Sequence, residues 1–275
     1  MKPCRPDADG MKVVAAVAGE IADVGQAMDL PFVAVSADIG SPEAMIGPDG
    51  RPLAETTFRW IDPRLEYWKD RGFALRSPFV HAARYCAEPF YYEAGAMRTW
   101  RPARWLEAID AADSARAHNI GAAVIAPAHL PGGIIGAVVW ASPDENLAVG
   151  EVFAARAAQL HALAHRLMGA YHEALGDYAI GDPVRLTRRE IQCLKWAAAG
   201  KTDGEISQIM DISAPTVRFH ITNAARKLGV AGRSQAVRHA VALGYVGAGP
   251  NRPAALDPIR PAQRAAAGNP LIPDS

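Results

Sequence analysis

Two short signals fifteen residues apart dictate most of what residues 186–246 can become. Thr187 is followed three positions later by Glu190, and Thr202 by Glu205. At that spacing the hydroxyl accepts from the amide three residues on, and the carboxylate reaches back to the amide of the capping residue. Both threonines therefore open helices. The first helix carries Ile191, Leu194 and Ala198 on one face and stops at Gly200. The second is short, with Ile206 and Ile209 expected inside. Ser213 caps a third helix that runs to Leu228 and ends at Gly229, and a fourth covers about 233–243 before Gly244. Two short helices, a tight turn and a longer third helix describe a helix-turn-helix.

The third helix divides cleanly at roughly 100° per residue. Val217, Ile221, Ala224 and Leu228 form one stripe, and Arg218, Phe219, Thr222 and Arg226 lie opposite. A helix that reads a major groove needs this division, because its outer face must bring donors to base edges. Arg218 and Thr222 are the candidates for base contact, with Phe219 on the same face. Lys201, Thr202, Thr216, Arg226, Lys227 and Arg233 sit at element ends and suit phosphates. The plainer reading of the same residues is a solvated basic face on a small helical domain. Charge and periodicity alone leave both readings open. The chain holds 29 basic and 29 acidic residues, yet residues 184–246 carry ten against four, a net +6, while 1–183 carry −7. Only the C-terminal part is suited to a polyanion.

The whole of 186–246 resembles the DNA-binding module of LuxR-type regulators. The matching positions include Glu190, Leu194, Gly200, Lys201, Glu205, Ile206, Thr216, Val217, His220, Asn223, Lys227, Leu228, Gly229 and Ala236. The resemblance implies a double-stranded DNA partner and a homodimer paired through the fourth helix, where Ala236, Val237, Ala240 and Val241 would supply apolar surface. His220 lies about 60° from the core stripe and reads as structural rather than catalytic.

The rest of the chain is long enough, at 275 residues and 50% hydrophobic, to hold a second core. Residues 11–175 read as α and β together. Helices are expected over 11–30, 63–69, 80–86, 103–118 and 151–175, short strands at 31–37 and 90–92, and a turn at 47–52. Ala122–Ala126 and Gly136–Ser142 flank the HLPGG segment at 129–133 as a β-hairpin. Helices bracketing antiparallel strands give an α-β-α sandwich. The fold class is thus α+β, with an antiparallel-sheet sandwich followed by an all-α helix-turn-helix domain. Glycines and Pro183 mark a linker at 176–185, and 247–275, with six prolines and no apolar period, reads as a disordered tail.

Residues 63–142 resemble the autoinducer-binding domain that detects N-acyl homoserine lactones. The resemblance is carried by SPFVHAARYCAEPFYY at 77–92 and by the hairpin with GAVVWAS at 136–142. The polar anchors differ. Where the family has an Asp that accepts the ligand amide, this chain has Ser77, a shorter and uncharged acceptor. The Trp that donates to the lactone carbonyl falls at Arg64, with Trp60 and Trp68 nearby; Trp68 stands where the family has Tyr, and Tyr92 replaces a later Trp. A family Gly is Ala123 here, and a Ser or Thr near the amide is Val139. A typical lactone is therefore expected to bind poorly. Two readings stay open. Trp60, Trp68, Ser77, Tyr92, Trp105 and Ile120 line a pocket for another small apolar or aromatic molecule, or the aromatics fill a core and the domain only dimerises.

Other functions find little support. His161 and His165 share a helix face, but no H-E-x-x-H surrounds them, and neither a G-x-S-x-G nor a phosphate-binding glycine loop occurs. No enzyme activity, metal or cofactor is expected. No apolar run approaches membrane-spanning length, the first residues lack an export signal, and Cys4, Cys86 and Cys193 form no paired framework. These features fit a cytoplasmic transcription regulator. The alternative is an interaction protein that forms inactive heterodimers with a related regulator.

Overall fold

The computed structural model describes residues 7–62, 76–176 and 184–247. The expected helix at 63–69, with Arg64 and Trp68, lies outside the described residues. So do most of the linker and nearly all of the C-terminal tail.

The first part is a five-stranded antiparallel sheet with helices on both faces. It begins with α1 (Ala8–Gln26), capped by the Asp7 carboxylate, which accepts from the amides of Asp9 and Gly10. The sequence continues through β1 (Phe32–Ser36), the one-turn α2 (Leu53–Thr56), α3 (Pro78–Tyr85), β2 (Phe90–Glu93) and β3 (Ala96–Arg98). Two short helices follow, α4 (Arg104–Glu107) and α5 (Ala112–Ala117). Next come β4 (Ala122–His129), a 3-10 turn at Pro131–Gly133, β5 (Ile135–Ser142) and the long α6 (Val149–Ala174). The strand order is β1-β5-β4-β2-β3, and β4 and β5 pair from Ala122 opposite Ser142 to His129 opposite Ile135.

Side chains alternate across this sheet, and both faces are covered. Val124, Ala126, Ala128, Val138 and Trp140 pack with the apolar stripes of α1 and α6. Ala123, Ile125, Ala137 and Ala141 face the other way, toward Phe79 and Ala82 of α3, with Phe90, Tyr92 and Met97. This explains why seven of the eight β4 residues are buried and why β4 reads as a continuous apolar run. Trp140 is fully buried and donates its indole N–H to the Ile21 carbonyl at 3.0 Å, pinning α1 to the sheet. The approach is close: a Cβ on Gly25 would stand 2.8 Å from the Leu30 carbonyl oxygen and 2.9 Å from the Trp140 ring.

Two local expectations are corrected. Residues 103–118 form two short helices rather than one, because the Asp110 carboxylate accepts from the Ala112 amide at 3.1 Å and restarts the chain there. Strand β3 was not foreseen; only Met97 of its three residues is buried, too little for an alternation to register. No helix among the described residues is long and apolar enough to cross a membrane.

The C-terminal part consists of α7 (Arg188–Ala198), α8 (Asp203–Met210), α9 (Ala214–Lys227) and α10 (Arg233–Ala242). Both capping boxes form, at Thr187 with Glu190 and at Thr202 with Glu205. Leu194, Ala224, Leu228, Ala236, Ala240 and Val246 make one apolar cluster, and Cys193, Ile206, Val217 and Ile221 the other. Two assignments change. Ile209 is 45% exposed, because Ile206 and Met210, one turn apart, take the inward face of α8. Ala236 and Ala240 are fully buried inside the domain, so they are not available to a partner; on α10 and just after it the exposed apolar residues are Val241 and Leu243.

Candidate nucleic-acid interface and sensor cavity

The candidate interface is built on α9. Ser213 starts it by accepting from the Thr216 amide at 3.2 Å, and Pro215 occupies the first turn, where no amide partner is missed. Val217, Ile221, Ala224 and Leu228 are buried against α7 and α8. Arg218, Phe219, Thr222 and Arg226 are exposed. Phe219 is 62% exposed, a large ring left in water on an otherwise polar face. Residues Asp203, Arg218, Thr222, Arg226, Gly232 and Arg233 line a cleft of about 510 Å³ at the side of this helix.

The expected phosphate contacts fall into two groups. Thr202 is exposed, and its hydroxyl is engaged with Glu205, accepting from the Glu205 amide at 3.3 Å and donating to the carboxylate at 3.0 Å. Lys201 pairs with the same Glu205 at 3.1 Å, and Thr216 shares a 2.7 Å hydroxyl contact with Ser213. Arg226 is exposed and donates to the Asn223 side chain at 3.3 Å. Lys227 and Arg233, by contrast, are turned to internal tasks. The Lys227 ammonium donates to Glu190, a carboxylate 4% exposed, at 2.8 Å. Arg233 donates to the Asp203 carboxylate and to the Lys201 carbonyl, tying the start of α10 to the start of α8. Sequence position alone put both at helix ends; which carboxylate stood opposite was a tertiary matter.

These pairings hold two carboxyls low. Burial pushes the Glu190 carboxyl up, but the Lys227 ammonium and the amide and hydroxyl of Thr187 outweigh it, so the net displacement is downward. Glu205 is drawn from the usual 4.5 to about 2 by the Thr202 amide, Lys201 and the Thr202 hydroxyl. A carboxyl that titrates lower folded than unfolded contributes stability above its unfolded value and loses it as pH falls through the folded one. Acid unfolding of 184–247 should therefore set in below about pH 4.5 and continue toward pH 2. Circular dichroism of Glu205→Gln, which keeps a capping side chain, should show a flatter acid limb; stability that instead fell between pH 5 and 8 would contradict the assignment.

On the sheet face opposite α1 and α6 lies an apolar cavity of about 90 Å³, lined among others by Trp60, Ser77, Phe79, Ile120, Ala123 and Val139. Three of the expected residues, Trp60, Ser77 and Ile120, are thus brought together. Ser77 is 4% exposed and caps α3, its hydroxyl accepting from the Val80 amide at 3.4 Å. Tyr92 is buried edge-on to Phe79, with ring centres 5.5 Å apart, but does not line the space. Trp105 is corrected: it is 45% exposed, because Leu106 takes the inward place on the single turn of α4. Phe79 was missed, although its place in the α3 stripe with Ala82 and Ala83 carried the signal.

His161 and His165 stack edge to face at 4.5 Å. Burial lowers the His161 pKa first, and the neighbouring His165 adds to it. No group of three potential ligands able to hold a metal is found among the described residues.

Comparison with known proteins places both parts. Residues 184–240 match the family model of bacterial regulatory proteins of the luxR family, and residues 25–171 match that of the autoinducer-binding domain. The chain is 35% identical over 138 residues to the transcriptional activator protein VanR of Vibrio anguillarum, a match covering 49% of this chain and about half, 55%, of VanR. It is 30% identical over 185 residues to the transcriptional activator protein PhzR of Pseudomonas fluorescens, covering 66% of this chain and 72% of PhzR. Among solved structures, Escherichia coli SdiA is similar at 22% identity and a TM-score of 0.45, over 85% of this chain and 92% of SdiA.

Proposed function

The chain belongs to the LuxR family of bacterial regulatory proteins, transcription regulators with an autoinducer-binding domain and not enzymes, and on that premise we propose that α9 enters the major groove of duplex DNA. The observation that carries this is the division of the helix. Its apolar edge is buried, and Arg218, Phe219, Thr222 and Arg226 stand outward together. Arg218 suits the paired acceptors of guanine, Thr222 a single base edge, and Phe219 an apolar contact with a thymine methyl. Arg226, Lys201, Thr202 and the amide end of α8 suit the flanking phosphates. Two copies would place their α9 helices about 34 Å apart on a near-palindromic site. The exposed Val241 and Leu243 are the apolar surface that supports pairing through the last helix.

The test is a mobility-shift titration of the full chain against duplexes selected from a randomised pool, repeated at several salt concentrations. Binding should weaken steeply with salt, with a slope near −0.9 per phosphate neutralised. Absence of salt-sensitive duplex binding at any concentration would sink the reading.

For the sensor, the cavity favours a compact apolar or aromatic molecule over a typical acyl homoserine lactone. Its wall is apolar, and the acceptor contributed at Ser77 is a hydroxyl already engaged in capping α3. In a thermal-shift panel at one common ligand concentration, small apolar aromatics should stabilise the chain more than a simple acyl homoserine lactone, by about 2.7 kcal/mol where that concentration is a hundredfold over their dissociation constant. Equal stabilisation by a simple acyl homoserine lactone would overturn the preference.

A further inference from the structure

One carboxylate sits among the cations of the proposed interface. Asp203 opens α8 and is partly buried, its side chain 23% exposed. One of its oxygens accepts from Arg233, which also donates to the Lys201 carbonyl. The other stands 3.4 Å from Nε of Arg218, whose side chain is 75% exposed. The anchored half of this arrangement is firm. Arg233 is two-thirds covered and bonded to both side chain and main chain, so the carboxylate it holds has little freedom. The Arg218 end of the pair faces solvent. Because the contact runs through Nε, the two terminal nitrogens of Arg218 remain for another acceptor, and a guanine presents two acceptors side by side.

We propose that Asp203 is a positioning residue for base recognition. Held by Arg233, it fixes the Arg218 guanidinium on the outer face of α9 before DNA arrives, and it cancels one positive charge where a non-cognate backbone would otherwise be held. The first effect raises affinity for the cognate site by removing the cost of ordering a long side chain. The second lowers affinity for every duplex. Together they widen discrimination while reducing overall stickiness. The inference rests on the assignment of α9 to the groove.

The experiment is a measurement of dissociation constants for the full chain on its best selected duplex and on a scrambled one, across a salt series. Asp203→Asn should bind the scrambled duplex about three- to tenfold more tightly, with a salt slope steeper by about 0.9. The ratio of the two constants should fall about fivefold. In an Arg218→Ala background the same substitution should leave the ratio unchanged, because nothing remains to be positioned. Asp203→Glu, which keeps the charge but lengthens the arm, should retain the wild-type salt slope and recover part of the ratio. It also serves if the Asn variant melts early. An unchanged ratio in Asp203→Asn, or a fall of the same size with and without Arg218, would overturn the inference and leave only a structural role at Arg233. A wild-type chain that binds no duplex would instead remove the groove assignment itself.

Discussion

Replacing Lys227 with Met should lower the stability of the C-terminal helices by about 3 kcal/mol, since it strands a buried carboxylate. Glu190 is only 3% exposed, and its side chain accepts from the Thr187 amide at 2.7 Å and from Lys227 at 2.8 Å. Removing the ammonium leaves the charge with only the Thr187 amide and hydroxyl, in a place water hardly reaches. The carboxyl would then protonate more readily, so part of the loss should be recovered as the pH is lowered. Amide hydrogen exchange across 188–227 in the full chain is the suitable measurement, because it reads these helices separately from the sensor. Glu190→Gln combined with Lys227→Met should regain most of the loss, Gln being able to keep the capping contact without a charge. A loss below about 0.5 kcal/mol, or one of equal size in the Glu190→Gln background, would show that the pair does not behave as a buried one. The consequence for function is indirect: the pair with Glu190 supports the end of α9.

Arg218→Ala carries the second large effect. A bidentate arginine contact with guanine is worth about 1–3 kcal/mol of discrimination, so affinity for the selected duplex should fall about tenfold to a hundredfold. Affinity for a scrambled duplex should change little, because the lost charge is already shared with Asp203 at 3.4 Å. The fold should be untouched, since the side chain is 75% exposed and makes no apolar contact in the core. Equal weakening on both duplexes would instead place Arg218 on a phosphate and turn α9 in the groove.

These two residues illustrate what could be read from the chain and what could not. Helix α9 was legible because its two faces differ in chemistry at a 3.6-residue period, and burying Val217 and Ile221 necessarily puts Arg218 and Thr222 outside. The caps at Thr187, Thr202 and Ser213 were legible because capping is local, reaching three residues along the chain. Lys227 sits at the end of the same helix and looked equally outward, yet Glu190, thirty-seven positions earlier, lies opposite it. The N-terminal domain shows the same limit. Trp60, Ser77 and Ile120 meet at the cavity, whereas Trp105 turns to solvent and Tyr92 packs behind Phe79. Aromatic content does not say which ring lines a space and which one fills it.

The amino-acid order by itself determined the capped helix starts of the C-terminal part, the hairpin, the sandwich-plus-helices architecture and the outward arginine edge, because each follows from periodicity or from contacts a few residues long. The tertiary structure alone decided which cations were paired with a covered carboxylate, which apolar residues of α10 remained exposed, and how large and how apolar the cavity beside the sheet is. Those depend on partners far away in the chain, and charge pairing and packing are settled by proximity in space, which local pattern does not encode.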